Sequence, residues 1–412
     1  METDHAETEI HEKLLSLAHA KGLDIDGGQV RRSSSRFCLG IEHGDYNGLE
    51  LFGVGTDRFI WLAYKANRLG RIRIFSENFP EDGVVDISLQ SSPDPADVAD
   101  SWARFPHGVS AILRASGYAL TTGFDAVLLG NIPGGGMSRS ASLALNLLAT
   151  FFEVNRISGA EGMAMVDLAQ RVETDYIGSP CGKLDQIMIY YAKAGMGTFY
   201  DPTSGKIEHI PFGGDADAFR LVSLDTGTKR PGLEKSTYKV RRNECDTLNA
   251  FLSKHMETTV AGISREPEYR KAIALLDQHG HGSLQMRLKY LYEARQRFHG
   301  TLRFWREGDV AAIGANFRAD GISLRDDYVI SGPELESMCD IARTVEGVYG
   351  ERMLGGGDKG AAGAIIRTDA LSRLKAAVAR AYPLCHPAYA DTFAVHGCRS
   401  VDGITCQPLI DS

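Results

Sequence analysis

Leu129-Gly-Asn-Ile-Pro-Gly-Gly-Gly-Met-Ser-Arg-Ser-Ala-Ser-Leu-Ala144 decides how the rest of this chain is read. An apolar strand over residues 126–129 runs into three consecutive glycines and three serines. A run of strong helix formers follows at 141–149. Glycine lets a backbone approach an anion closely, and the helix behind it offers unpaired N–H donors at its positive end. Ser138, Ser140 and Ser142 add hydroxyls suited to phosphate or to a magnesium ion. No Gly-Lys-Ser/Thr follows the glycines, so this is not a Walker loop. Gly-x-Gly-x-x-Gly is missing as well, which argues against a dinucleotide fold. A glycine turn before a serine-capped helix can be purely structural; three glycines in succession favour phosphate.

Two further segments carry chemistry. Glu173-Thr-Asp-Tyr-Ile-Gly-Ser-Pro-Cys-Gly-Lys-Leu-Asp185-Gln sets one carboxylate at the end of a helical stretch and another beyond a turn. Beside a phosphate loop, such a pair suits metal holding by one and proton or charge handling by the other. Taken alone, it also reads as a solvated helix end and a helix cap. Ser35-Arg-Phe-Cys-Leu-Gly-Ile-Glu-His-Gly-Asp-Tyr-Asn-Gly crowds Arg36, Glu42, His43 and Asp45 into ten residues. Short polar groups clustered at a turn hold polyhydroxylated ligands, by donating and accepting. An exposed turn with a surface ion pair is the alternative.

The chain's 412 residues are comfortable for two domains. A net charge of −8 argues against a general nucleic-acid or anionic-membrane binder. No stretch approaches eighteen apolar residues; the densest, 143–152, is broken by Asn146. The N-terminus is acidic and polar without a secretory pattern, and the seven irregularly spaced cysteines read as reduced thiols, so a cytoplasmic protein is expected. Cys385-His386 with His396 and Cys398 fits no common zinc spacing.

Periodicity predicts a helix around residues 10–18 and strands at 49–54, 59–63, 71–75 and 83–89. Helices are expected at about 97–116, 140–153 and 159–176, and an extended pair at 187–191 and 197–201. The second half opens with a strand at 219–224. It continues with helices at 238–253, 284–304 and 334–345, a strand at 363–367, a helix at 369–381 and a strand near 391–395. Strands and helices mix without regular βαβ alternation, so the class is α+β in two halves.

Together the three segments resemble the galactokinase branch of the GHMP small-molecule kinases. Arg36 with Glu42-His43-Gly-Asp45-Tyr46-Asn47 is similar to that family's Arg…Gly-Glu-His-Thr-Asp-Tyr-Asn signature. Residues 133–143 resemble its phosphate loop, and 178–186 its Gly-x-x-Cys-Gly-x-x-Asp-Gln segment. Tyr238-Lys-Val-Arg-Arg-Asn-Glu-Cys245, Ser323-Leu-Arg-Asp-Asp-Tyr328 and the glycine-rich 347–357 look like later family motifs, in the family's order.

The resemblance implies a two-lobed α+β fold, with lobes at residues 1–212 and 213–412 and the active site between them. It implies an ATP- and Mg2+-dependent kinase acting on the anomeric hydroxyl of a sugar, galactose first. Asp185 would accept the hydroxyl's proton. Arg36 would lie beside it, favouring the charged carboxylate and stabilising charge on the transferring phosphoryl group. Arg36, Glu42, His43, Asp45, Gly182, Asp185 and Tyr238 would contact the sugar. Gly134, Gly135, Gly136, Met137, Ser138, Arg139 and Ser140 would wrap ATP, and Ser140 with Glu173 would hold magnesium. Trp102 matches a position close to the nucleotide.

Several residues depart from the family pattern. Ser33-Ser34-Ser35 stands for Ala-Pro-Gly, Cys38 for asparagine, Gly44 for threonine and Ala144 for glutamate. Arg139 replaces a serine, and its side chain is expected in solvent or in a structural pair rather than on a phosphate. Asp358-Lys359 alters the last glycine loop and puts a negative charge near the phosphates, which Lys359 would offset. The proposed catalytic set is complete, which favours an active kinase with altered sugar preference or kinetics over an inactive relative. Arabinose, galacturonate and amino sugars are the near rivals. A catalytically weak sugar- and ATP-sensing regulator is the rival of another class.

Overall fold

Residues 29–40 read Gln-Val-Arg-Arg-Ser-Ser-Ser-Arg-Phe-Cys-Leu-Gly, a polar run by composition, yet they form an interior strand of the larger sheet, paired on both sides. The computed structural model describes residues 2–98, 101–229 and 235–410. Its strands are β1 (Gln29–Gly40), β2 (Leu51–Asn67), β3 (Arg71–Ser76), β4 (Val84–Ser88), β5 (Gly123–Gly130), β6 (Met196–Asp201), β7 (Lys206–Pro211), β8 (Phe219–Asp225), β9 (Val348–Met353), β10 (Ala361–Arg367), β11 (Ala394–Cys398) and β12 (Ile404–Pro408). The first sheet runs β12-β1-β2-β5-β3-β4, with β6 paired to β2 and β7 to β6. All its pairings are antiparallel except β3 with β5. The second sheet, β11-β8-β10-β9, is wholly antiparallel.

A polar seam explains how β1 is buried. Ser33 Oγ donates to the Ser142 carbonyl at 3.1 Å and accepts from Asn146 Nδ2 at 3.0 Å. Asn146 Nδ2 also reaches the carbonyls of Arg31 and Ile60, and Arg31 Nε donates to Thr150 Oγ1 at 3.1 Å. These donors find acceptors across the contact with the helix Arg139–Val154, so burying them does not strand a donor, although Asn146 Oδ1 has no partner among the described residues. The same seam accounts for Asn146 inside the apolar run. Phe37 and Leu62 of the first sheet, Leu147 and Phe151 of that helix, and Val222 and Ile365 of the second sheet belong to one core.

The expected α+β class holds, and several boundaries move. The strands expected at 49–54 and 59–63 are one long strand, β2. The helix expected at 97–116 is Arg104–Ala115, with residues 99 and 100 outside the described set. The helix at 159–176 is Met163–Arg171 followed by a π-helical turn, Val172–Ile177. Residues 187–191, expected as a strand, lie largely in the helix Leu184–Tyr190. Ile187, Met188 and Ile189 are fully buried, and an apolar run enclosed on all sides has no periodicity to distinguish the two. All seven cysteines are free, and among the described residues no group of three His, Cys, Asp or Glu could hold a metal ion. No described helix is long and apolar enough to cross a membrane.

Candidate active site

β1 delivers Arg36 to the floor of a cavity of about 410 Å3. Its Nε and Nη2 donate to Asp185 Oδ1 at 2.9 and 2.7 Å, and its Nη1 donates to the Gly136 carbonyl at 2.6 Å. One buried guanidinium therefore joins the segment around Asp185 to the glycine loop. Burial opposes its charge, but Asp185 and Glu42 outweigh that and hold it more firmly protonated than an ordinary arginine. Asp185 sits in the first turn of the helix Leu184–Tyr190, where a carboxylate is favoured by the helix dipole.

The glycines of the loop serve backbone approach as well as anion binding. Gly136, at φ +84°, has no room for a Cβ, which would lie 3.0 Å from the Ala361 carbonyl oxygen. A Cβ on Gly355 would meet Gly136 Cα and Arg36 Nη2, both at 3.1 Å. The loop thus interlocks with the last glycine-rich loop between β9 and β10. Ser138 takes a left-handed conformation, φ +61°, at the cap of the helix Arg139–Val154, and its buried Oγ has no partner among the described residues. Gly134, Gly135, Gly136, Ser138, Arg139 and Ser140 all line the cavity. Met137 does not: its side chain is in the core, leaving only its backbone to the loop.

Across the cavity, Glu42, His43, Asp45, Gly182 and Tyr238 come together as the sequence predicts. Glu42 Oε1 accepts from Gly355 N–H at 2.9 Å and lies 3.6 Å from Arg352 Nη2, a fully buried guanidinium that also bonds Asp320 and the Cys38 carbonyl. Burial raises the Glu42 carboxyl above the usual range, against Arg36 and Arg352. His43, strained at φ +62°, packs its ring 5.3 Å from that of Tyr238, and its Nδ1 is 3.0 Å from the Tyr46 hydroxyl. Asp45 Oδ2 accepts from Leu184 N–H at 3.1 Å. A Cβ on Gly182 would run into the Asp45 carboxylate and displace it from the Leu184 N–H. At Gly44 a Cβ would be a tight fit, 3.0 Å from the Ile41 carbonyl oxygen, so threonine there would need a small shift of the turn.

Glu173 lies on the π-helical turn and accepts from Gln186 Nε2 at 2.8 Å; it lines the cavity with Ser140. One carboxylate and one hydroxyl beside a phosphate loop fit a magnesium ion, which keeps waters and shares the substrate's phosphate oxygens instead of occupying an all-protein cage. Arg139 is not in open solvent. It is turned into the cavity over the Phe79 ring, 5.5 Å to the centroid, and no carboxylate lies within ion-pair distance of it among the described residues. Ala144 is core-packed, and Trp102 lines the cavity beside Phe79 and Phe105. Sequence reading gave no role to Arg352 or Gly355, although both stand in a motif it singled out. Phe79 and Asn78 carried no signal at all.

A cleft in which a glycine loop faces a guanidinium-held carboxylate is suited to phosphoryl transfer. The family description "GHMP kinases N terminal domain" matches residues 106–193, which contain that loop and Asp185. Galactokinase of Lacticaseibacillus casei is 31% identical over 329 residues, 79% of this chain and 82% of the relative; that of Bacillus subtilis is 29% identical over 80% and 82%. The crystal structure of Lactococcus lactis galactokinase complexed with galactose superposes with a TM-score of 0.84 at 25% identity, covering 96% of this chain and 99% of that one. Methanococcus jannaschii mevalonate kinase shares the fold, with a TM-score of 0.64 at 15% identity over 91% of this chain and 99% of that one. The chain belongs to the galactokinase branch of the GHMP kinase family and is a sugar kinase.

Proposed function

We propose that the protein transfers the γ-phosphoryl group of ATP to the anomeric hydroxyl of galactose or a close relative, making a sugar 1-phosphate and ADP. The observation that carries this is the bridge made by Arg36, which ties Asp185 to the glycine loop through Gly136. The sugar lies against Glu42, His43, Asp45, Gly182 and Tyr238, with its anomeric hydroxyl toward Asp185. Residues 134–140 wrap the triphosphate. The bond from the sugar oxygen to the γ-phosphorus forms as the bond to the β,γ-bridging oxygen breaks, and the hydroxyl proton passes to Asp185. Such a transition state is loose, so positioning and charge stabilisation do most of the work. Arg36 supplies a fixed positive charge that need not reorganise during transfer. When bound, magnesium neutralises phosphate charge; Ser140 and Glu173 would hold it.

In this reading residues 1–212 and 213–412 form the two lobes, with β12 returning from the chain's end to the first sheet. The partners are a free sugar and ATP in the cytoplasm, with neither nucleic acid nor membrane required. The test is ADP release with MgATP across a panel of free sugars, with NMR of the product. Anomeric phosphate from galactose, arabinose, galacturonate or an amino sugar fixes both reaction and substrate. Binding of sugar and ATP without turnover would overturn the reading in favour of a sensor.

A further inference from the structure

The last glycine-rich loop, residues 355–360, touches three parts of the cleft. At one end Gly355 N–H holds Glu42, and at the other the backbone of Gly360 lies against Gly135. Between them stands Asp358, one of the departures from the family pattern. Its N–H donates to the Ile330 carbonyl at 2.7 Å, and its Oδ2 accepts from Thr237 N–H at 2.8 Å. Thr237 opens the helix Thr237–Met256, and the next residue is Tyr238, which packs over His43. The start of that helix therefore has two acceptors. Ser236 Oγ takes the Tyr238 N–H at 3.3 Å, and the carboxylate from the glycine loop takes the Thr237 N–H. A carboxylate at this place satisfies an orphan donor and complements the helix dipole. Asp358 does not line the cavity, and its carboxylate is turned to the start of the helix.

We propose that Asp358 is a positioning residue that couples the nucleotide loop to the sugar pocket. Nucleotide bound against residues 134–140 fixes Gly135 and, through it, Gly360 and the rest of the loop. The Asp358–Thr237 bond then fixes the entry of the helix that carries Tyr238 over His43. By linkage, sugar bound under Tyr238 favours the loop position that nucleotide needs. The inference rests on the proposed assignment of the two halves of the cleft to nucleotide and sugar.

The experiment is calorimetry of galactose binding, or of whichever panel sugar is turned over, with and without a non-hydrolysable ATP analogue. In the wild type the analogue tightens sugar binding. Asp358→Ala lowers that enhancement about fivefold, the ratio corresponding to loss of a helix cap, and raises the sugar KM more than it lowers kcat. Asp358→Asn, which keeps an acceptor oxygen, restores most of the enhancement. Thr237→Pro removes the donor at a helix position that tolerates proline, and it gives the same loss by an independent route if Asp358→Ala folds poorly. An enhancement unchanged in both Asp358→Ala and Thr237→Pro, or no enhancement in an active wild type, overturns the coupling. A wild type that turns over no sugar instead overturns the functional assignment beneath it.

Discussion

Arg36 grips Asp185 by a single carboxylate oxygen: Nε and Nη2 both converge on Oδ1. Oδ2 has no hydrogen-bond partner among the described residues, and Asp185 lines the cavity. The arrangement orients the carboxylate while leaving one oxygen for a substrate hydroxyl. Asp185→Asn keeps the shape and loses the acceptor charge. Turnover should fall by about 10²–10⁴-fold, with nucleotide affinity retained by calorimetry. Near-normal ADP release would remove Asp185 from the chemistry.

Much of this cleft was legible in the sequence because glycine and charge placement leave marks. Arg36, Glu42 and Asp45, then Gly182 and Asp185, then Tyr238 come from three separate segments, and each stands at a motif. The strand carrying Arg36 was far less legible. Its Ser33 and Arg31 are buried by hydrogen bonds to Ser142, Asn146 and Thr150, partners more than a hundred residues away. Residues 187–191 misled for the opposite reason, being apolar on every face. The orientation of Arg139 depends on Phe79, which no local pattern connects to it.

Gly135 and Gly360 meet backbone to backbone. A Cβ on Gly360, already at φ +102°, would lie 2.7 Å from the Gly135 carbonyl carbon. Gly360→Ala should therefore cost about 1–3 kcal/mol in stability. It should also raise the KM for ATP more than the KM for sugar, because Gly135 is displaced. Thermal unfolding and paired KM measurements check both effects.

Ser140→Ala and Glu173→Gln separate metal holding from local structure. Glu173→Gln keeps an oxygen for the Gln186 side chain while losing the charge a hard cation needs. Both variants should shift the magnesium dependence of ADP release to higher concentration without changing sugar affinity. Coincident magnesium titrations would remove these residues from the metal site.

Asp45 makes a pH-dependent prediction. Burial raises its carboxyl above the usual range, with the Leu184 N–H opposing. A carboxyl that binds its proton more tightly folded than unfolded adds stability below the unfolded pKa of about 3.9. That contribution is lost as pH rises through the folded value. At neutral pH the charged group is thus a burden on the ligand-free protein. Asp45→Asn should raise Tm near neutrality, the gain shrinking toward acid, while sugar affinity drops. A Tm difference that does not change with pH would sink the argument.

Arg139 faces the cavity with Phe79 beneath it and no carboxylate in ion-pair range among the described residues. Burial pulls its guanidinium below the ordinary arginine value, and Asp225, at longer range, opposes this. An unpaired cation in a cleft gains most when an anion arrives, because the ligand brings the missing partner. Arg139→Ser restores the residue expected of the family and removes that cation. Nucleotide affinity should fall about tenfold, as for a lost hydrogen bond to a charged group. Stability of the ligand-free protein should hold or rise, since a desolvated charge has gone. The KM for ATP should also depend less on ionic strength in the variant than in the wild type. Nucleotide affinity unchanged by the substitution would mean that the guanidinium serves only its stack on Phe79. A fall in affinity with a parallel fall in Tm would mean that it holds the loop instead of the ligand. Only a loss of affinity with stability kept places Arg139 on the phosphates.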